Sequence, residues 1–233
     1  EMFPYLPVDR VKATYHLPLQ KIAVSSYIAE AIRDLGETEN IFVVPNGIRI
    51  EDFTVPLRKK GPSPVFGFLY ASTPRKAVAR AIDSLVVAKA SVPELTAVAF
   101  GNSAIHSNHV LPDWVEYHQS PEQRSIPELY ARCDGWLFSS DSEGFGLPIL
   151  EAMACRTPVI ATRAGAAPEL VNDGNGALVA FDAADIAAQI VALCNLSDQR
   201  WQAKSDAAYA TAQHHTWEKA TDRLLTLLTD PPD

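Results

Sequence analysis

The sequence predicts an α/β protein whose doubly wound parallel sheet is covered by helices on both faces. Three observations predict it. Short apolar runs alternate with helical patterns from about residue 21 onward. Those runs are apolar almost without interruption, as strands buried on both faces must be. The chain has 233 residues, 47 % apolar and 21 % charged, which is enough for one large domain with its own core.

Residues 1–20 come first. They are rich in proline and aromatic side chains (Phe3, Pro4, Tyr5, Pro7, Tyr15, Pro18) and show no period. They read as an interdomain linker or the tail of an upstream domain, and residues 21–233 as one domain. Strands are expected at 21–24, 41–45, 65–70, 95–101, 114–117, 135–139, 158–162 and 177–180. Helices are expected at about 26–35, 74–90, 126–133, 147–155, 166–171, 183–195, 198–213 and 216–229. Three helix starts are well signed. Thr73 can cap and Pro74 fits the first position of the 74–90 helix, which then buries Val78, Ile82, Leu85 and Val86. Pro148 sits in the first turn of the 147–155 helix, where its missing N–H costs nothing. Asp182 can cap the 183–195 helix, with Asp185 at its third position and Phe181 and Ile186 placed as a hydrophobic staple.

The net charge of −8 argues against a nucleic-acid partner. If the ligand is an anion, positive charge must be concentrated locally. No run reaches the length of a membrane span, and no signal peptide is visible. The opening Glu1 suggests a chain cut from something longer. Cys133, Cys155 and Cys194 form no CxxC pair and read as buried reduced thiols, hence a cytoplasmic protein. His106 and His109 are three residues apart but lack further ligands, so they read as loop histidines and no metal is expected.

The segment 139–171 is the most informative. A strand ends near Ser139, Gly144, Phe145 and Gly146 make a loop, and a helix follows. A glycine loop entering a helix presents backbone N–H groups at the positive end of the helix dipole, which suits an anion. Glu143 and Glu151 bracket this start, with seven residues between them. An isolated glutamate at the position of Glu151 would read as a first-turn helix acid complementing the dipole. Beside the glycine loop, Glu151 reads better as an acceptor for paired hydroxyls such as those of a ribose. A second constellation is Ser72-Thr73-Pro74-Arg75-Lys76. Cations in a helix's first turn are disfavoured by the dipole, so two in a row suggest an anion that offsets the repulsion; the alternative is that both point to solvent. A third is the loop from His118 to Ser120, after the short strand.

The stretch EGFGLPILEAMACRTPVIAT resembles the E-x7-E signature of glycosyltransferase family 4, a retaining family of the GT-B fold. AGAAPELV, VVPNGIRIEDF, IAVSSYIAEAI and Thr216-Trp217-Glu218 resemble further segments of that family in its own order, covering nearly all of residues 21–229. The resemblance implies a Rossmann-like domain, the C-terminal half of a GT-B enzyme, with a C-terminal crossover helix. It implies transfer of a sugar, with retention, from a nucleoside-diphosphate sugar of UDP, GDP or dTDP type to a glycan or lipid-linked acceptor, without metal or other cofactor. Arg75 and Lys76 would hold the diphosphate, with Glu143 the third catalytic residue. Glu151, Gly144, Phe145, Gly146, Leu147, Ser72 and His118 would bind the donor. The family's arginine five residues before the lysine is Ala71 here, so Arg75 is taken as its substitute. The glycine usual near His118 is missing, as is that at Arg156, which reads as drift without chemistry. The partners implied are a nucleotide sugar and a missing N-terminal acceptor domain, through which peripheral membrane association is allowed. Two other classes compete: a non-catalytic nucleotide-sugar-binding module with a separate partner, and half of a GT-B nucleotide-sugar 2-epimerase, which should not carry the full 143–171 run.

Overall fold

The computed structural model of the protein describes residues 8–36 and 39–229. Its first elements are α1 (Val8–Tyr15), β1 (Lys21–Ala23), α2 (Ser26–Arg33) and β2 (Ile41–Val43), the last three packed as a small unit. β1 and β2 pair in parallel as a separate two-stranded sheet. Helix α1 corrects the reading of residues 1–20 as aperiodic, while residues 1–7 of that segment lie outside the described residues. Pro7 and Pro18 bracket a stretch free of helix breakers, and Asp9 complements the dipole in its first turn.

The main sheet follows. In chain order come β3 (Val65–Leu69), α3 (Val78–Lys89), β4 (Thr96–Gly101), β5 (Val115–Gln119), α4 (Ile126–Ala131) and β6 (Gly135–Phe138). Then come α5 (Leu147–Ala154), β7 (Val159–Thr162), α6 (Ala167–Leu170), β8 (Gly176–Val179), α7 (Ala183–Cys194), α8 (Asp198–Gln213) and α9 (Trp217–Thr229). The six strands are all parallel, in the order β5-β4-β3-β6-β7-β8. Chain direction across the sheet therefore reverses between β3 and β6. The loops leaving these two strands diverge there and open a crevice at their carboxyl ends.

The strand period of two divides the core into two layers. Phe66, Phe68, Ala97, Ala99, Leu137 and Ile160 pack with α3 and α7 on one face. Val98, Phe100, Trp136, Phe138, Val159 and Ala161 pack with α5 and α8 on the other. At the far end of the sheet from the crevice, the Asp134 carboxylate accepts from Gly61 N (2.9 Å) and Val65 N (3.0 Å), which sets the entry into β3. Arg58 lies beside it, over the Trp201 ring, and donates to Thr157 Oγ1 and Cys133 O. Burial lowers the pKa of that guanidinium, and Asp134 pulls it back. The thiols of Cys133, Cys155 and Cys194 are all free, and burial pushes Cys133 up to about 12 and Cys194 up to about 11. No helix among the described residues is long and apolar enough to cross a membrane.

Two helix ends refine the sequence reading. Asp182 caps α7 by accepting from Asp185 N, and Asp185 reaches back to Ala180 N at 2.7 Å, a reciprocal cap with aspartate in both roles. The proposed staple residue Phe181 stays 48 % exposed, under the Arg80 guanidinium, while Ile186 is buried. Beyond the end of α5, Arg156 adopts a φ of +59°. It is not idle drift. Its guanidinium lies 2.7 Å from Asp206 Oδ1 and 4.3 Å from the Tyr209 ring centroid, both on α8. The left-handed backbone costs about 1 kcal/mol, and these contacts offset a similar amount. Arg156→Gly should therefore shift the melting temperature by less than about 4 °C. Arg156→Ala keeps the strain and loses the contacts, so it should be the worse of the two by about 1–2 kcal/mol in thermal unfolding.

Candidate functional site

The crevice between β3 and β6 gathers most of the residues singled out from sequence. After β3 the chain makes a 3-10 turn, Pro74–Lys76, and Ala77 then takes a left-handed conformation (φ 47°) before α3 begins at Val78. This corrects the expected continuous helix 74–90. Thr73 caps nothing with its side chain, and Arg75 and Lys76 precede the helix instead of occupying its first turn. The cause is long-range: Ser139, just past β6, donates its hydroxyl toward both Lys76 O and Ala77 O at 3.2 Å and holds the kink. The kink turns Lys76 inward, and its Nζ meets Glu143 Oε1 at 2.5 Å. Arg75 stays exposed, its side chain bonded to no other described residue, while its carbonyl accepts from Asp141 N.

Arg80, which the sequence reading passed over, lies in the first turn of α3, four residues after Lys76. It lies 2.7 Å from Asp141 Oδ1 and donates to Ser139 O at 2.8 Å, so it braces the loop after β6. The four-residue spacing from Lys76 was its only signal.

The loop from Glu143 to Gly146 is held on both flanks. Ser25 donates to Gly144 O at 2.6 Å, and Ala166 N donates to Phe145 O at 2.8 Å. Tyr27 and Ser142 pair their hydroxyls at 3.4 Å, and Glu169 Oε1 accepts from Ser26 N at 2.8 Å. Glycine is needed twice here. Gly146 caps α5 with φ 102°, and a Cβ on it would meet the Phe138 ring at 2.8 Å. A Cβ on Gly165 would sit 2.6 Å from Phe145 O and 2.9 Å from Glu143 Cβ. The loop so held leaves the N–H groups of Gly144, Phe145, Gly146 and Leu147 donating to no other described residue, at the positive end of α5. Phe145's ring is buried, so that residue faces the crevice through its backbone; Leu147 is half-buried against the core.

Two carboxylates meet this cradle. Glu143 is buried, and its Oε1 accepts from Ser140 Oγ at 2.8 Å as well as from Lys76. Glu151, one turn into α5, accepts from the Tyr130 hydroxyl through Oε2 at 2.7 Å. Burial raises Glu151's pKa above the ordinary carboxylate range, and the Tyr130 hydrogen bond and the charge of Lys76 pull it down. Lys76 is thus paired with Glu143 and also lowers the pKa of Glu151 through its charge.

The remaining residues sit at the rim. Ser72 is exposed and joined to the next loop through Ser103, whose Oγ lies 3.3 Å from Ser72 N. Tyr70 ties down the rest of that loop, accepting from His106 N and donating to His109 O. His118 belongs to β5, not to the loop after it, which corrects the sequence reading. Its Nε2 lies 2.7 Å from Glu116 Oε1, and Arg132's hydrogen bond holds Glu116 below the usual carboxylate range. Ser120, next after β5, adopts a left-handed φ of +50°.

A six-stranded parallel sheet of this order, with its crevice at the reversal, is a Rossmann-like doubly wound fold. The pattern of the family Glycosyl transferases group 1 matches residues 49–231, and the chain belongs to that family. It is 34 % identical to O-antigen chain mannosyltransferase B of Escherichia coli over 48 % of this chain and 29 % of that protein. To D-inositol 3-phosphate glycosyltransferase of Xylanimonas cellulosilytica it is 26 % identical over 88 % of this chain and 57 % of that protein. A solved structure of Anabaena Alr3699/HepE in complex with UDP and glucose superposes with a TM-score of 0.76 at 26 % identity, covering 89 % of this chain and 62 % of that one. The chain thus spans little more than half the length of the relatives it matches across most of its own residues.

Proposed function

We propose that this chain is the donor-binding half of a retaining glycosyltransferase that moves a hexose from a nucleoside-diphosphate sugar to a glycan or lipid-linked acceptor, as in polysaccharide assembly. The observation that carries the reading is Lys76, paired with the buried Glu143 beside the open N–H groups at the start of α5. In this reading the diphosphate lies on those N–H groups and on Lys76, with Arg75 closing over it from the rim. Glu151 accepts from the ribose hydroxyls. Glu143 and the backbone from Gly144 to Leu147 hold the sugar, and Ser72 and His118 flank the nucleotide. Charge developing on the leaving diphosphate is met by fixed donors already in place, so the chemistry needs no metal or other cofactor. The binding of UDP and glucose by the Anabaena neighbour supports a donor of this class.

An acceptor domain outside this chain would supply the other wall of the cleft and any peripheral membrane contact, in a cytoplasmic enzyme. The isolated chain should then bind a nucleoside diphosphate weakly, because the open cleft leaves ligand and charges in water. It should transfer no sugar, because acceptor positioning is worth several kcal/mol of barrier. Ligand-detected NMR with uridine, guanosine, adenosine and thymidine diphosphates tests the first expectation, and a turnover assay with the matching sugar donors tests the second. Acceptor-dependent turnover by this chain alone would show that it is a complete enzyme.

A further inference from the structure

We propose that Tyr130 is a positioning residue for the nucleotide: its hydroxyl fixes the Glu151 carboxylate so that the other oxygen faces the ribose. The inference rests on the reading of Glu151 as the ribose acceptor, and it starts from geometry. Tyr130 is fully buried at the end of α4. Its ring is packed against Trp136 (4.4 Å between centroids), Phe100 (5.3 Å, edge-on) and Phe53 (6.4 Å). Its carbonyl accepts from Thr157 Oγ1 at 2.8 Å. Backbone and ring are therefore both held, and the hydroxyl has one place to be.

That place is 2.7 Å from Glu151 Oε2. A tyrosine hydroxyl has one proton, and here it goes to the carboxylate. Two consequences follow for Glu151. Its side-chain torsion is fixed, since turning the carboxylate away would leave a buried hydroxyl without an acceptor. Its Oε1 accepts from no other described residue and is left for an incoming hydroxyl. The hydrogen bond also favours the ionised form that accepts, against the burial that favours the protonated form that donates. A tyrosine chosen only to fill the core would be served as well by phenylalanine, whose ring makes the same three contacts.

The test reads discrimination between ligands, which a purely structural role does not move. Wild type, Tyr130→Phe, Glu151→Ala and the double variant are titrated with uridine diphosphate and with 2′,3′-dideoxyuridine diphosphate, after circular dichroism has shown each to be folded. Tyr130→Phe should lose about tenfold in affinity for the ribose form and almost nothing for the dideoxy form. In the Glu151→Ala background the same change should add less than about twofold. Equal losses on both ligands, no loss on either, or a full further loss without Glu151 would each overturn the proposal. If Glu151→Ala itself fails to narrow the preference for the ribose form, the ribose reading of Glu151 falls first, and with it the ground for Tyr130.

Discussion

Glu151→Ala should weaken binding of both the bare nucleoside diphosphate and the nucleotide sugar by about 2–3 kcal/mol, roughly 30- to 150-fold. The side chain is half-buried and already oriented, so little ordering cost is left to set against its loss. Removing it strands two ligand hydroxyls and the Tyr130 hydroxyl together. Glu143→Ala should act differently. Its Oε1 is committed to Lys76 and Ser140, and removing it releases Lys76 toward the phosphates. Affinity for the bare diphosphate should stay level or rise, while affinity for the nucleotide sugar falls. Calorimetry with both ligands separates the two. Parallel losses on both ligands for both variants would remove the division of labour between the glutamates.

Lys76→Met should weaken diphosphate binding by about 2–3 kcal/mol while leaving nucleoside binding almost unchanged. Methionine keeps the stem and removes the charge. The effect should persist in moderate salt, because the lysine side chain is only 19 % exposed and sits against a buried carboxylate. The variant should also be less stable by about 1–3 kcal/mol, since Glu143 is left buried with Ser140 alone. Arg75→Ala, by contrast, should cost less than about 1 kcal/mol of diphosphate affinity and lose that effect as salt rises. Titration of each variant at low and high ionic strength decides between them. Equal, salt-sensitive losses would mean that the inward turn of Lys76 has no energetic meaning.

Much of this molecule is legible from local pattern. The parallel sheet, the order of strands and helices, and the five segments resembling the family all follow from runs of side chains close together in sequence. So does the position of Gly146, Pro148 and Glu151 around one helix start. What local pattern misses is set by partners far away in the chain. The kink at Ala77 exists because Ser139 reaches it from another strand; nothing in Thr73-Pro74-Arg75-Lys76 announces it. Arg156 looked like drift because Asp206 and Tyr209 lie a helix away. Tyr130 reads as one more core aromatic until its hydroxyl is seen on Glu151. His118 was misplaced by a strand end, the least certain feature of any pattern reading.

Four hydrogen bonds lie at or beside the glycine loop: Ser25 to Gly144, Tyr27 to Ser142, Ser26 to Glu169 on α6, and Ala166 to Phe145. The first three come from the start of α2, in the unit built on the small β1–β2 sheet. The two sheets are otherwise joined in sequence by residues 44–64, with Ile48 anchored on His215. Val24, just after β1, and Ile48 and Phe53 of the connection pack with the same core cluster as Phe145 of the loop. The conformation of the loop that carries the open amides is thus set partly by a residue more than a hundred positions upstream, Ser25.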